Sequence, residues 1–375
     1  MMNDLGLYIH IPFCLRKCRY CDFLSFDDKA FLTGRYIDRL KAEIADRAEE
    51  YSGFKVKSIY IGGGTPSILN AGVIRDLMDH VYKFFDVTDE AEISIEVNPG
   101  SVDEQKLHEY RRSGINRLSI GLQSARDDEL AVLGRIHSWK DFCRTYELAR
   151  DNGFDNINID LISAIPGQST DSYAESLQKI ISLEPEHISA YSLQLEEGTY
   201  FYEHRDEYEW PDEDTDRDMY HQSAALLGEA GYDRYEISNY SKPGYECRHN
   251  IIYWCGDDYL GVGIGAASYM EGIRFRNTDS IEEYLKGIRC TERNVLSETD
   301  RIEEFMFLGL RMTSGISASD FCGRFGKSVF DIYGHILETC KKDGLIMIKD
   351  DIIRLTEFGL DVSNYVFAKF LLNDR

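Results

Sequence analysis

Short apolar runs rich in Ile, Val, Leu and Tyr recur along the first half of the chain, at 5–11, 58–61, 92–97, 117–122, 156–162 and 187–193. Between them, apolar residues return every three or four positions. Ile37, Leu40, Ile44 and Ala48 share one helical face after the first run, and Tyr173, Leu177, Ile180 and Ile181 share one after the fifth. Strands alternating with amphipathic helices predict βαβ units and a parallel sheet. Six such units form either a flat doubly wound sheet or a partial barrel, and periodicity does not separate the two. In both, ligands bind at the carboxyl ends of the strands.

The texture changes after the sixth run. Residues 203–218 are acidic and predict a solvated connection, with a lid as the functional alternative; a helix starts near Asp212 and runs to Gly231. Residues 232–276, rich in Gly and aromatics, read as irregular. Ser297 to Asp300 is a capping-box-like start, followed by a helix with Ile302, Phe305, Met306 and Leu310 inward. The stretch 345–356 reads as a hairpin turning at Asp350 and Asp351, and 357–372 as a closing helix. The chain thus divides into a core barrel over 1–231, a barrel-closing region over 232–295 and a small winged-helix-like domain over 296–375.

Composition narrows the function. Hydrophobic residues at 43% are ordinary for a globular chain, and the net charge of −24 argues against nucleic acid, which needs a basic footprint. No apolar run approaches a membrane span, so stable membrane insertion is not expected. The N-terminus has neither the basic nor the apolar segment of a leader. Nine cysteines without one suggest a reducing, cytoplasmic setting.

Three of those cysteines, Cys14, Cys18 and Cys21, stand as C-x3-C-x2-C on a loop that leaves the first strand, where Pro12 ends the ladder. Three thiolates this close suit an iron–sulfur cluster and leave one iron of a cubane open. Structural zinc usually takes a second distant pair, which is not evident. The run Gly62-Gly63-Gly64-Thr65-Pro66 follows the second strand directly and is either a tight turn or a place where a ligand meets backbone. It is not a phosphate loop, lacking G-x4-G-K-S/T. Glu96, Gln123 and Asp160 lie in or end later strands, and Arg135 lies in LGRIH; each is a ligand contact, or a helix cap or surface charge. The run 261–266, G-V-G-I-G-A, lacks the βαβ context of a dinucleotide fingerprint.

The cysteine motif, with Tyr20 before its third cysteine, resembles the radical S-adenosylmethionine superfamily. YIHIPFC and GGGTPS resemble one branch of it, the anaerobic coproporphyrinogen III oxidase family, and the likeness covers nearly the whole chain. The resemblance implies a three-quarter (βα)6 barrel and a 4Fe-4S cluster on Cys14, Cys18 and Cys21. It also implies S-adenosylmethionine on the fourth iron, cleaved reductively to a 5′-deoxyadenosyl radical, with an electron donor such as flavodoxin or ferredoxin. By the same resemblance, Tyr8, Tyr20, Gly63, Gly64, Thr65, Glu96, Gln123, Arg135 and Asp160 shape the cofactor site. The glycines would meet the methionyl amino group and Glu96 the ribose hydroxyls.

Two features divide this family. Its porphyrinogen oxidases carry a further cysteine two residues after the third and an N-terminal arm; here Phe23 occupies that position and thirteen residues precede Cys14. Second, H-N-x2-Y-W at 249–254 resembles the haem-chaperone branch, implying haem as cargo and a haem-acceptor protein as partner. His249 could ligate haem iron, with Tyr253 and Trp254 as flat faces; alternatively it is a structural histidine beside buried aromatics. The branch usually has a histidine where Ala267 stands, so a role for that side chain is absent here. The resemblance implies a haem chaperone. The alternatives are oxidative decarboxylation of coproporphyrinogen III and a structural metal or electron carrier, which would need no cofactor pocket.

Overall fold

A computed structural model describes residues 3–372. Its centre is a parallel run of β1 (Asn3–Ile11), β2 (Phe54–Gly63), β3 (Asp86–Val97), β4 (Arg117–Gln123), β5 (Ile157–Ser163) and β6 (His187–Ser192), adjacent in chain order. Successive strand side chains point to opposite faces, and here the two faces differ in chemistry. Ile9, Ile59, Ile95, Ile120 and Ile159 are buried in the main core, which also takes Ile37, Leu40, Ile44 and Ala48 of the helix Thr33–Glu50. The intervening positions are polar: Ser58 and Tyr60, Glu92 and Glu96, Arg117 and Ser119, Asn158 and Asp160. This second face is the concave one of an open, partial (βα)6 barrel, and its polar groups bond one another. Asn158 donates to Ser119 Oγ at 2.8 Å and to Asp160 at 2.7 Å, and its carbonyl oxygen lies 2.6 Å from His187 Nδ1.

Residues 232–276 are not irregular. With the residues that follow, to Val295, they supply short strands to both edges of a 12-stranded sheet. β7 (Asp233–Arg234) and β8 (Asn239–Ser241) continue it antiparallel beyond β6. On the other edge, β9 (Tyr259–Val262) lies parallel to β1, followed by antiparallel β10 (Ala267–Met270), β11 (Ile273–Asn277) and β12 (Cys290–Val295). Runs this short leave little alternation to read. The glycine run after β9 is a packing joint. Gly263 has φ +103°, and a Cβ there would stand 2.6 Å from Tyr36 Oη and 2.8 Å from the His10 carbonyl. Its N–H donates to the buried Glu43 carboxylate at 3.0 Å.

The acidic stretch is more than a solvated connection. Phe201, in a short helix Tyr200–Glu203, is fully buried with Leu133, Ile162 and Ile165, and Tyr208, Trp210 and Tyr20 pack against that cluster. Asp212 then caps the helix Glu213–Glu229.

The C-terminal unit has its own core around Ile302, Met306, Phe321 and Leu337. Helices Glu298–Gly309, Ala318–Phe325 and Val329–Lys342 pack with a small sheet ordered β13 (Ile316–Ser317), β15 (Ile352–Leu355), β14 (Ile346–Lys349), a winged-helix-like arrangement. The Ser297–Asp300 capping box is formed in both directions, and the hairpin turns with Asp350 at φ +55°. The expected closing helix is instead two, Glu357–Asp361 and Ser363–Ala368. Between them Val362 leaves helical geometry (φ −114°, ψ 32°), where a β-branched side chain is least costly. No described helix is long and apolar enough to cross a membrane.

Candidate cofactor site

A cavity of about 480 Å³ opens at the carboxyl ends of the parallel strands. The loop after β1 forms one wall. It is closed on itself by Phe26 N–H to Pro12 O (2.7 Å) and Cys14 N–H to Phe26 O (2.9 Å), and pinned to the opposite wall by Arg19 N–H to Leu133 O (3.1 Å). Phe201 N–H also donates to Arg19 O, at 3.0 Å, so the aromatic anchor just before the acidic stretch steadies this loop. Cys14, Cys18 and Cys21 are free, half-buried thiols lining the cavity. Burial pushes the Cys14 thiol up, and the Cys21 thiol up to about 11.

The three thiols line one cavity. Among the described residues no grouping of three His, Cys, Asp or Glu side chains could hold a single metal ion.

The glycine turn lies against this loop. Gly64 N–H donates to Ile11 O and Thr65 N–H to Phe13 O, both at 2.8 Å, and Gly63 N–H donates to Glu96 Oε2 at 3.0 Å. A Cβ on Gly64 would meet Phe13 O at 2.8 Å, so side chains are excluded by the cysteine loop itself. With these N–H groups already satisfied, the turn has acceptors to offer a ligand, which suits an ammonium group.

Glu96 and Asp160 face the cavity from β3 and β5. Burial first, then the Asp160 charge, pushes the Glu96 carboxyl up from 4.5 to about 7, with the Gly63 N–H acting the other way. Burial likewise raises Asp160. Gln123 ends β4 at φ +74° beside a register shift between Gly121 and Gln123. That conformation is uncommon for a non-glycine residue. Arg135 donates to Cys18 Sγ (3.4 Å), Gly121 O (2.7 Å) and Asn98 Oδ1 (2.8 Å), linking the cluster loop to strand ends.

Tyr20, Gly63, Gly64, Thr65, Glu96, Gln123, Arg135 and Asp160 thus line the same cavity as the three cysteines. Two expected residues do not. Tyr8, on the concave face of β1, is not among the lining residues; its ring lies 6.4 Å from that of Tyr60, and it donates its hydroxyl to His10 Nδ1 at 2.9 Å, because His10 Nε2 donates to Leu24 O. His249 is buried, with Nδ1 2.8 Å from Ser58 Oγ and Nε2 2.8 Å from Tyr253 Oη. Burial, reinforced by Arg117, pushes its pKa down to about 3. Both ring nitrogens of His249 thus have side-chain partners, and neither opens onto the cofactor cavity.

Asn98 and Tyr60 belong to the site and escaped the sequence reading. Asn98 bridges Thr65 (3.0 Å) and Arg135. Its signal was its place two residues beyond Glu96 in IEVNPG.

The Glu96 shift predicts a pH dependence. Below about 4.5 the group is protonated folded or unfolded and costs nothing. Between about 4.5 and 7 the folded protein keeps a proton that the unfolded chain releases, so stability falls as pH rises, and the cost is complete above about 7. Its size is at most about 3 kcal/mol, and less where cavity water reaches the carboxyl. Glu96→Gln is expected to stabilise the ligand-free protein near pH 8 and to leave it unchanged near pH 4.5. Urea unfolding at both pH values checks this; equal effects at the two would show an ordinary carboxylate.

Residues 8–180 match the Radical SAM superfamily and residues 296–362 the HemN C-terminal domain. The solved structure of coproporphyrinogen III oxidase (HemN) from Escherichia coli, a Radical SAM enzyme, superposes with a TM-score of 0.87 at 25% identity, over 98% of this chain and 90% of that one. Fold and site together define a radical SAM protein with a HemN-type C-terminal domain. Three relatives narrow the class. The heme chaperone HemW of Lactococcus lactis is 37% identical over 98% of this chain and 97% of its own. Those of Bacillus subtilis and Escherichia coli are 35% and 34% identical over 97% and 99% of this chain, and 98% and 99% of their own. The chain belongs to the HemW family.

Membership of the radical SAM superfamily implies a 4Fe-4S cluster and S-adenosylmethionine. The residues present fit both: three thiols lining one cavity, beside acceptor-rich walls.

Proposed function

We propose that this chain is a cytoplasmic haem chaperone, which binds haem and passes it to an acceptor protein. In this reading it carries a 4Fe-4S cluster on Cys14, Cys18 and Cys21, with S-adenosylmethionine beside it. The observation that carries the reading is identity of 33–37% to proteins named heme chaperone HemW, in the matches from Lactococcus lactis to Buchnera over nearly the full chain. Phe23 supports it further. It is 62% exposed at the cavity rim, where the oxidase pattern has a cysteine.

When bound, the cluster and S-adenosylmethionine supply one-electron chemistry, fed by a donor such as flavodoxin or ferredoxin. The chain's part is orientation. The cysteine loop fixes the thiols; the carbonyls of the glycine turn accept from the ammonium; Glu96 and Asp160 accept from hydroxyls. Arg135 holds Cys18 and the β4 end in one register.

The test uses protein reconstituted anaerobically, with reductant and S-adenosylmethionine present. It is expected to bind haem, seen as a shifted Soret band, and to form no protoporphyrinogen from coproporphyrinogen III. Decarboxylated product would assign the oxidase activity instead.

A further inference from the structure

We propose that haem is held in a second cavity, between the antiparallel edge of the sheet and the C-terminal unit, and that His249 only positions its wall. This rests on the haem-chaperone reading above.

The cavity measures about 430 Å³, within the range of small-molecule sites. Its walls are aromatic. Tyr253 meets Tyr259 edge to face at 4.5 Å, Tyr269 lies 6.4 Å beyond, and Phe305 faces them from the helix Glu298–Gly309. Flat apolar faces of this kind suit a macrocycle.

The charges are as telling. In a chain of net charge −24, this cavity is lined by three arginines and one glutamate. Arg274 is engaged twice by Glu304, at 2.6 and 3.0 Å. Arg301 makes no ion pair among the described residues. Arg324 pairs with Asp257 (3.4 Å) and Asp320 (3.2 Å), neither of which lines the cavity. Arg324 is thus already held by two aspartates and by the Cys255 carbonyl at 2.9 Å, and Arg301 is the guanidinium of the lining that no carboxylate meets among the described residues. Haem carries two propionates, and guanidinium groups bind carboxylates strongly.

The H-N-x2-Y-W motif then divides its labour. The His249 ring stacks on Tyr60, 5.4 Å away, and Tyr60 lines the cofactor cavity. On its other side His249 bonds Tyr253, which lines the second cavity. The histidine is the partition between the two; Tyr253 and Trp254 face the haem.

Titration of haem into the reconstituted protein, followed by absorbance, tests this. Arg301 is exposed and free of ion pairs, so Arg301→Glu should fold; it is expected to weaken haem binding about tenfold or more. Leu308→Trp, which fills the cavity, is expected to weaken it at least as much. Iron content and unfolding midpoint should match the unsubstituted protein in both. His249→Gln is expected to leave the Soret maximum where it is. Wild-type affinity in both cavity variants, or a displaced Soret maximum in His249→Gln, would overturn the site while the chaperone reading stood. Failure of the unsubstituted protein to bind haem would overturn that reading itself.

Discussion

Alanine at any one of Cys14, Cys18 or Cys21 is expected to take the protein from about four irons per chain after anaerobic reconstitution to near none. The loop bearing these thiols is held by its own backbone hydrogen bonds and by Leu133, so a single substitution removes a ligand without loosening the others' support. No neighbouring cysteine can take over. Cys143 lies on the helix Trp139–Asp151, Cys247 is fully buried on the concave face, and none of the other cysteines lines the cavity. Cys143→Ala is therefore expected to keep full iron and sulfide. Iron and sulfide analysis decides the matter; tight stoichiometric zinc with no iron uptake would refute the cluster assignment.

The largest expected effect on stability is at Glu92. Its carboxylate is buried and accepts from Arg248 N–H (3.2 Å), His249 N–H (3.3 Å) and Cys247 Sγ (3.6 Å). It also stands near Arg117, a fully buried guanidinium whose Nε has no partner and whose Nη1 reaches Ser94 only at 3.5 Å. Glu92→Ala removes both the acceptor for the helix Arg248–Trp254 and a carboxylate that favours a buried cation. Leaving buried donors without an acceptor costs about 1–3 kcal/mol, and a loss of that order is expected in urea unfolding of the barrel. Glu92→Gln, which keeps an acceptor, should lose less. An unchanged unfolding midpoint in Glu92→Ala would mean that Arg117 is compensated elsewhere.

The parts of this protein that the sequence by itself determined are local ones. Alternating strands and amphipathic helices carry their own periods, so the parallel core could be read from spacing. The cysteine loop sits within eight residues and the glycine turn within five, and both keep their meaning in any fold that ends a strand just before them. Glu96 and Gln123 were legible for the same reason, as polar residues closing apolar runs.

What only the tertiary structure decided depends on which distant residues meet. The strands of residues 232–295 are two to six residues long, too short for a pattern, and exist because the edges of the sheet offer unpaired backbone. The fate of His249 turns on Ser58, 191 residues away: an imidazole looks the same in sequence whether its nitrogens face a ligand or a buried hydroxyl. The arginine-lined cavity draws on β9, β10, β11 and two C-terminal helices, so its charge balance appears only once those elements are brought together. Local order is written in neighbouring residues, whereas the pairing of buried polar groups is settled by packing.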